Sequence, residues 1–142
     1  MFSHIFIGVS DFDRALDFYR ALMACLGLEE RFCEPARPWA GWHSPGGVRP
    51  LLLIGKPFDH QPHSAGNGHM AAFIAPDRKA VDQAYALALA KGGLSEGAPG
   101  LRSEYHANYY GAYFRDPDGN KLCVVCHLPE AESENRQNNS LG

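Results

Sequence analysis

Two histidines, His4 and His69, open segments of the chain that repeat one another, and paired imidazoles at equivalent repeat positions are suited to holding a metal ion. His4–Leu28 overlays His69–Gly93 without gaps: Ala15 meets Ala80, Asp17 meets Asp82, Leu22 meets Leu87 and Gly27 meets Gly92. A second group of reactive types lies further on. His106, with Arg102, has the chemistry of a general base or an anion clamp, and equally that of a surface pair. The aromatic run that follows alternates, so Tyr109 and Tyr113 share one face and Tyr110, Ala112 and Phe114 the other. Aromatics of one parity, with Trp42, can stack on a planar substrate or orient it through a phenol, although Trp39, Trp42 and the tyrosines also suit a core. His60 and His63 stand in a polar stretch and read as solvated loop histidines. Cys123-Val-Val-Cys126-His127 has the spacing of a covalent haem attachment, but in a strand two cysteines three apart point to opposite faces. Cys126 then belongs under a helix.

The elements that position these groups follow from periodicity. Ile5, Ile7 and Val9 alternate with His4, Phe6 and Gly8, which predicts a strand whose first set packs under a helix. Ser10 and Asp13 have the form of a capping box, apolar residues from Ala15 to Met23 recur at helical spacing, and Gly27 ends the helix. In the second copy Met70, Ala72 and Ile74 are expected on the core face and His69, Ala71 and Phe73 on the other. Pro76 opens a helix there, Val81, Ala84, Tyr85, Ala88 and Leu89 supply its buried stripe, and Gly92-Gly93 stop it. Three short strands follow each helix: 28–34, 39–43 and 50–56 in the first half, 101–106, 109–115 and 120–127 in the second. Asp116-Pro117-Asp118-Gly119-Asn120 is a tight turn joining the last two as a hairpin. The fold class is α+β: two βαβββ modules, 1–57 and 67–128, joined by a linker at 58–66, make one domain, with 129–142 as a polar, disordered tail.

Composition bounds the partners. With 142 residues, a net charge of -3 and no lysine or arginine run, the chain lacks the basic footprint of a nucleic-acid binder. The opening stretch lacks the basic leader and cleavage site of a signal peptide, and no apolar run approaches the roughly 20 residues that span a bilayer. Four cysteines without an export signal read as free thiols, and a cytoplasmic location is the expectation.

The strand opening with His4, the helix DRALDFYRALMACLGL, the second strand GHMAAFIA and the closing YYGAYFRDPDGNKLCVVCH together resemble the vicinal oxygen chelate superfamily of glyoxalases, bleomycin-resistance proteins and extradiol dioxygenases. The likeness runs to about His127. It implies a curved, open mixed sheet around a central cavity that holds a divalent metal and a small substrate, and it implies a homodimer. In metal-binding members the ligands come from the first and last strands of each module. Carried over, these are His4, His69 and, where the family offers a glutamate, Cys123; the last strand of the first module runs through Leu51, Leu52 and Leu53. Zinc accepts imidazole and thiolate together, so it is the metal most compatible with this set.

The leading expectation is accordingly a metal-assisted lyase or isomerase acting on a small oxygenated molecule, with the metal stabilising an enediolate-like intermediate. The alternative is a metal-free binding or sequestering protein of the bleomycin-resistance type. A dioxygenase is the third reading, since its iron site needs the absent glutamate.

Overall fold

The computed structural model describes residues 1–130, and the expected tail beyond residue 130 lies outside the described residues. The elements are β1 (His4–Gly8), α1 (Phe12–Cys25), β2 (Glu30–Glu34), β3 (Trp39–Ser44) and β4 (Val48–Gly55), then β5 (Ala71–Ile74), α2 (Arg78–Ala90), β6 (Leu94–Leu101), β7 (Tyr110–Arg115) and β8 (Lys121–Cys126). Each half is thus a βαβββ module. The strand orders are β1-β4-β3-β2 and β5-β8-β7-β6, and both sheets are mixed, open and four-stranded. In each, the first strand runs parallel to the last.

Both helices bury one stripe. α1 starts at Asp11, whose carboxylate accepts from the Arg14 N–H, and buries Phe12, Ala15, Phe18, Tyr19, Leu22 and Met23. The expected Ser10 capping box is therefore corrected by one residue. α2 starts at Asp77, which accepts from the Ala80 N–H, and Pro76 stands before that cap, outside the helix. Its stripe of Ala80, Val81, Ala84 and Ala88 is made of small side chains, which lets the helix lie close on β7. Gly92 takes the left-handed conformation that ends α2. Gly93 serves closeness instead, since a Cβ there would stand 2.6 Å from the Arg115 carbonyl oxygen.

One strand was misplaced by sequence reasoning. The second strand of the second module, the first after its helix, is Leu94–Leu101, not 101–106, which is mainly turn. Gly97, Pro99 and Gly100 look like punctuation, but β6 is an edge strand with two register irregularities, where proline and glycine are tolerated.

The 116–120 turn forms as expected and also joins the modules. Asp116 is buried and accepts from the Tyr19 hydroxyl of α1 at 2.6 Å, from Asn120 Nδ2 at 2.8 Å, and from the backbone N–H groups of Asp118 and Asn120. Asp118 accepts from the Ser10 N–H and from Arg14, and Asn120 donates to the Gly8 carbonyl at 2.9 Å. Burial and the neighbouring Asp116 hold the Tyr19 phenol well above its usual pKa. Alongside these bonds, Phe18 of α1 meets Phe114 of β7 edge-on, so one apolar cluster is shared by both halves.

Among the described residues no helix is long and apolar enough to cross a membrane.

Candidate functional site

The two faces of each sheet can be read from register. In the first sheet Ile7, Val9, Leu52, Ile54, Ala40 and Trp42 pack under the helices, leaving His4, Phe6, Gly8, Leu51 and Leu53 on the open face. In the second, Ala71, Phe73, Leu122, Val124, Ala112 and Phe114 face the core. Ala72, Cys123 and Tyr113 are register partners on the open face.

This arrangement reverses the expected parity of β5. Ala71 and Phe73 pack against the core, whereas Ile74 is 74% exposed. Both alternating sets are apolar, so periodicity could not separate them, and a one-residue slip exchanges the faces. The cause is visible at the helix starts. Asp77 is the counterpart of Asp11, and the Ala75 N–H to Val125 carbonyl bond is the counterpart of Val9 N–H to Gly55. The modules therefore superpose one residue away from the gap-free sequence overlay, and His4 is matched by Met70 rather than by His69.

His4 sits at the exposed start of β1, its Nδ1 3.0 Å from the Ser3 hydroxyl. His69 precedes β5, is exposed, and borders a cleft beneath the linker. Cys123 is fully buried, 3.6 Å from the Tyr109 hydroxyl. The four positions that would bear metal ligands are thus His4 in β1, Leu53 in β4, Met70 just before β5, and Cys123 in β8. One imidazole, one thioether, one hydrocarbon and one buried thiol do not fit a hard divalent cation or the usual zinc set. In agreement, no group of three or more His, Cys, Asp or Glu side chains is placed to hold a metal ion among the described residues.

The structure does bring together the second group of expected residues. The Tyr109 and Tyr113 hydroxyls lie 2.8 Å apart over Cys123. The Arg102 guanidinium stands 5.6 Å from the Tyr113 ring centre and the Lys121 ammonium 5.9 Å from it. Tyr105 and the imidazoles of His106 and His127 surround Tyr109 at ring distances of 4.8, 5.6 and 5.4 Å. Trp42 is absent from this hollow. It is buried in the core, 6.5 Å from the Tyr19 ring, because its register partner Leu52 faces the helices.

Sequence reasoning missed Lys121 and His127 as members. Their parity was the available signal, since both alternate with Cys123 along one line of residues. His106 holds its place but has no free nitrogen. The Asn108 N–H donates to its Nδ1 at 3.1 Å, which leaves the proton of the neutral ring on Nε2, directed to His127 Nδ1 at 2.8 Å. The outward group of this relay is the His127 Nε2–H, a donor.

The protonation of the hollow follows from burial. Desolvation raises the Cys123 thiol, against the pull of the Tyr109 and Tyr113 hydrogen bonds. Desolvation also raises Tyr109 and Tyr113. At neutral pH these groups are a thiol and two phenols. They can donate and accept hydrogen bonds and present ring faces, but none is a base or an activated nucleophile. Cys126 lies in the core on the opposite side of β8, and the four cysteines are free. We expect Cys123 to be alkylated by iodoacetamide at least about tenfold more slowly than the partly exposed Cys33 in the native protein, and Tyr109→Ala to remove most of that difference. Mass spectrometry of the labelled peptides measures both rates.

The family model of the Glyoxalase/Bleomycin resistance protein/Dioxygenase superfamily matches residues 1–124. The chain belongs to this superfamily. Among solved structures, a glyoxalase/bleomycin resistance protein from Albidiferax ferrireducens T118 is 35% identical, with a TM-score of 0.78 over 90% of this chain and 99% of that one. A glyoxalase/bleomycin resistance protein/dioxygenase family enzyme from Burkholderia phytofirmans PsJN is 21% identical, with a TM-score of 0.66 over 89% of this chain and 98% of that one. Lactoylglutathione lyase from Agrobacterium tumefaciens is 23% identical, with a TM-score of 0.60 over 89% and 92%. The last two likenesses concern the fold. No curated protein matches the chain.

Proposed function

We propose that this superfamily member is a metal-independent binding or sequestering protein for a small planar, oxygenated anion, held in the tyrosine hollow of the second sheet. The observation that carries the reading is that the thiol, the phenols and the expected base are engaged or protonated rather than poised to react: Cys123, Tyr109 and Tyr113 stay protonated, and both His106 nitrogens are hydrogen-bonded. What they retain is recognition. Ring faces stack on a planar ligand, Arg102 and Lys121 supply positive charge, and the His127 Nε2–H donates to an oxygen.

The same reading includes a homodimer. Among the described residues β1 and β5 are the edge strands of their sheets, with exposed Phe6 on β1, Met70 just before β5 and Ile74 at its end, and an apolar edge of this kind is ordinarily covered. A second copy, offering the complementary edge, covers both.

Salicylate is a suitable probe. Calorimetry is expected to detect saturable binding without added metal, weakened at least about tenfold by Arg102→Ala or Tyr109→Ala, with sedimentation giving a mass of two chains. Elemental analysis should find well under one divalent ion per chain. Stoichiometric zinc that disappears in both His4→Ala and His69→Ala would instead restore a metal-assisted lyase or isomerase.

A further inference from the structure

Gly97 of β6 is the register partner of Tyr113, so it ends the line of Ala72, Cys123 and Tyr113 across the open face. A side chain there would lie against the tyrosine ring. Arg102 takes that space instead: a Cβ at Gly97 would stand 3.2 Å from its Nη2 and 3.3 Å from Tyr113 Cδ2, and a Cβ at Gly100 would stand 3.1 Å from its Nη1. These distances fall inside ordinary van der Waals separation, so a side chain at either position pushes the guanidinium away. Neither glycine takes the left-handed conformation. Their missing side chains therefore supply room, not a turn of the chain.

The backbone of the same stretch holds the cation. The ladder register shifts between Gly97 and Gly100, which leaves Ala98 and Pro99 outside the pairing with β7, and the Ala98 carbonyl accepts from Arg102 Nη2 at 2.7 Å. The Arg102 N–H donates to the Tyr109 carbonyl at 2.8 Å. The guanidinium is thereby fixed beside Tyr113, 5.6 Å from the ring centre, and among the described residues it has no ion pair. Arg102 is partly buried. A fixed guanidinium with no acid beside it matches a carboxylate, whose two oxygens meet its fork of N–H donors.

We propose that Gly97 and Gly100 are positioning residues that set the charge preference of the tyrosine hollow, an assignment that rests on the hollow being the binding site. By leaving room for Arg102 against Tyr113, they make the hollow select an aromatic carboxylate over its uncharged amide.

Gly100→Val is the discriminating variant, because a Cβ at that position meets Arg102 alone. Calorimetry of the full chain with salicylate and salicylamide measures the preference. The wild type is expected to bind salicylate at least about tenfold more tightly, and Gly100→Val to bring the ratio below about threefold while salicylamide binding stays within about twofold. Gly100→Ala, a smaller perturbation, should fall between them, and backbone spectra report that both variants are folded. Equal weakening of the two compounds, which a merely structural role would produce, or an unchanged ratio in Gly100→Val would overturn the proposal. NMR of the arginine side chains reads the seat without a ligand. The Arg102 guanidinium, identified by its loss in Arg102→Ala, should rotate slowly in the wild type and freely in Gly100→Val; unaltered rotation in Gly100→Val would refute the seat. If the wild type binds neither compound, the hollow fails as a binding site and the charge preference fails with it. A ratio that collapses in Arg102→Ala but persists in Gly100→Val leaves the hollow standing and removes the role of the glycines.

Discussion

Asp116→Ala is expected to destabilise the protein by about 3 kcal/mol or more, because a buried donor left without its acceptor costs about 1–3 kcal/mol and this carboxylate serves several at once. Its two oxygens take the Tyr19 hydroxyl, the Asn120 side-chain amide and the backbone N–H groups of Asp118 and Asn120. Tyr19 is fully buried, so its hydroxyl cannot turn to water when the acceptor is removed. Asn120 would lose one of the bonds that aim it at the Gly8 carbonyl. The loss therefore falls on the joint between modules as well as on the turn. Urea unfolding of the variant beside Tyr19→Phe measures it. The Tyr19→Phe change deletes one donor without stranding it, so the alanine variant should lose distinctly more; equal losses would refute the network account.

Phe18→Ala is expected to cost about 3–5 kcal/mol, the range for emptying a large aromatic from a packed core. Phe18 is 1% exposed and meets Tyr19 at 5.1 Å and Phe114 at 6.4 Å between ring centres, both edge-on. Tyr19 is its own helix neighbour, but Phe114 belongs to the other module, so the cavity opens at the seam. Phe18→Leu, which refills most of the volume, should recover more than half of the loss. Thermal and urea unfolding should each remain a single transition, since one apolar cluster is shared by both halves. Two transitions in Phe18→Ala would show that the modules hold their folds separately.

Much of this architecture was legible in the chain. The period-two run at Ile5, Ile7 and Val9, the apolar recurrence from Ala15 to Met23, the left-handed glycines Gly27 and Gly92 and the turn at 116–120 are local signals, and each corresponds to a local element. The repeated grammar likewise announced two modules of one kind. The edge strand β6 was missed because its glycines and proline speak for a loop, and only pairing with β7 makes 94–101 extended.

The sites divide along the same line. Alternation alone placed Tyr109 and Tyr113 together, and it could have added Lys121 and His127 by the same count. Trp42 was misassigned because strand parity does not say which of two apolar faces meets the helices.

The sequence by itself therefore determined the repeated module, the helices and turns, and the superfamily, because these rest on contacts within a few residues or on a pattern carried along the chain. Only the tertiary structure decided the register between modules, which matches His4 with Met70, and the packing of the linker residue His63 against Gly8, where a Cβ would stand 2.7 Å from its Nδ1. Those outcomes depend on strand pairing and on the approach of segments distant in sequence. There a shift of one residue changes which side chains meet while leaving the local pattern almost the same.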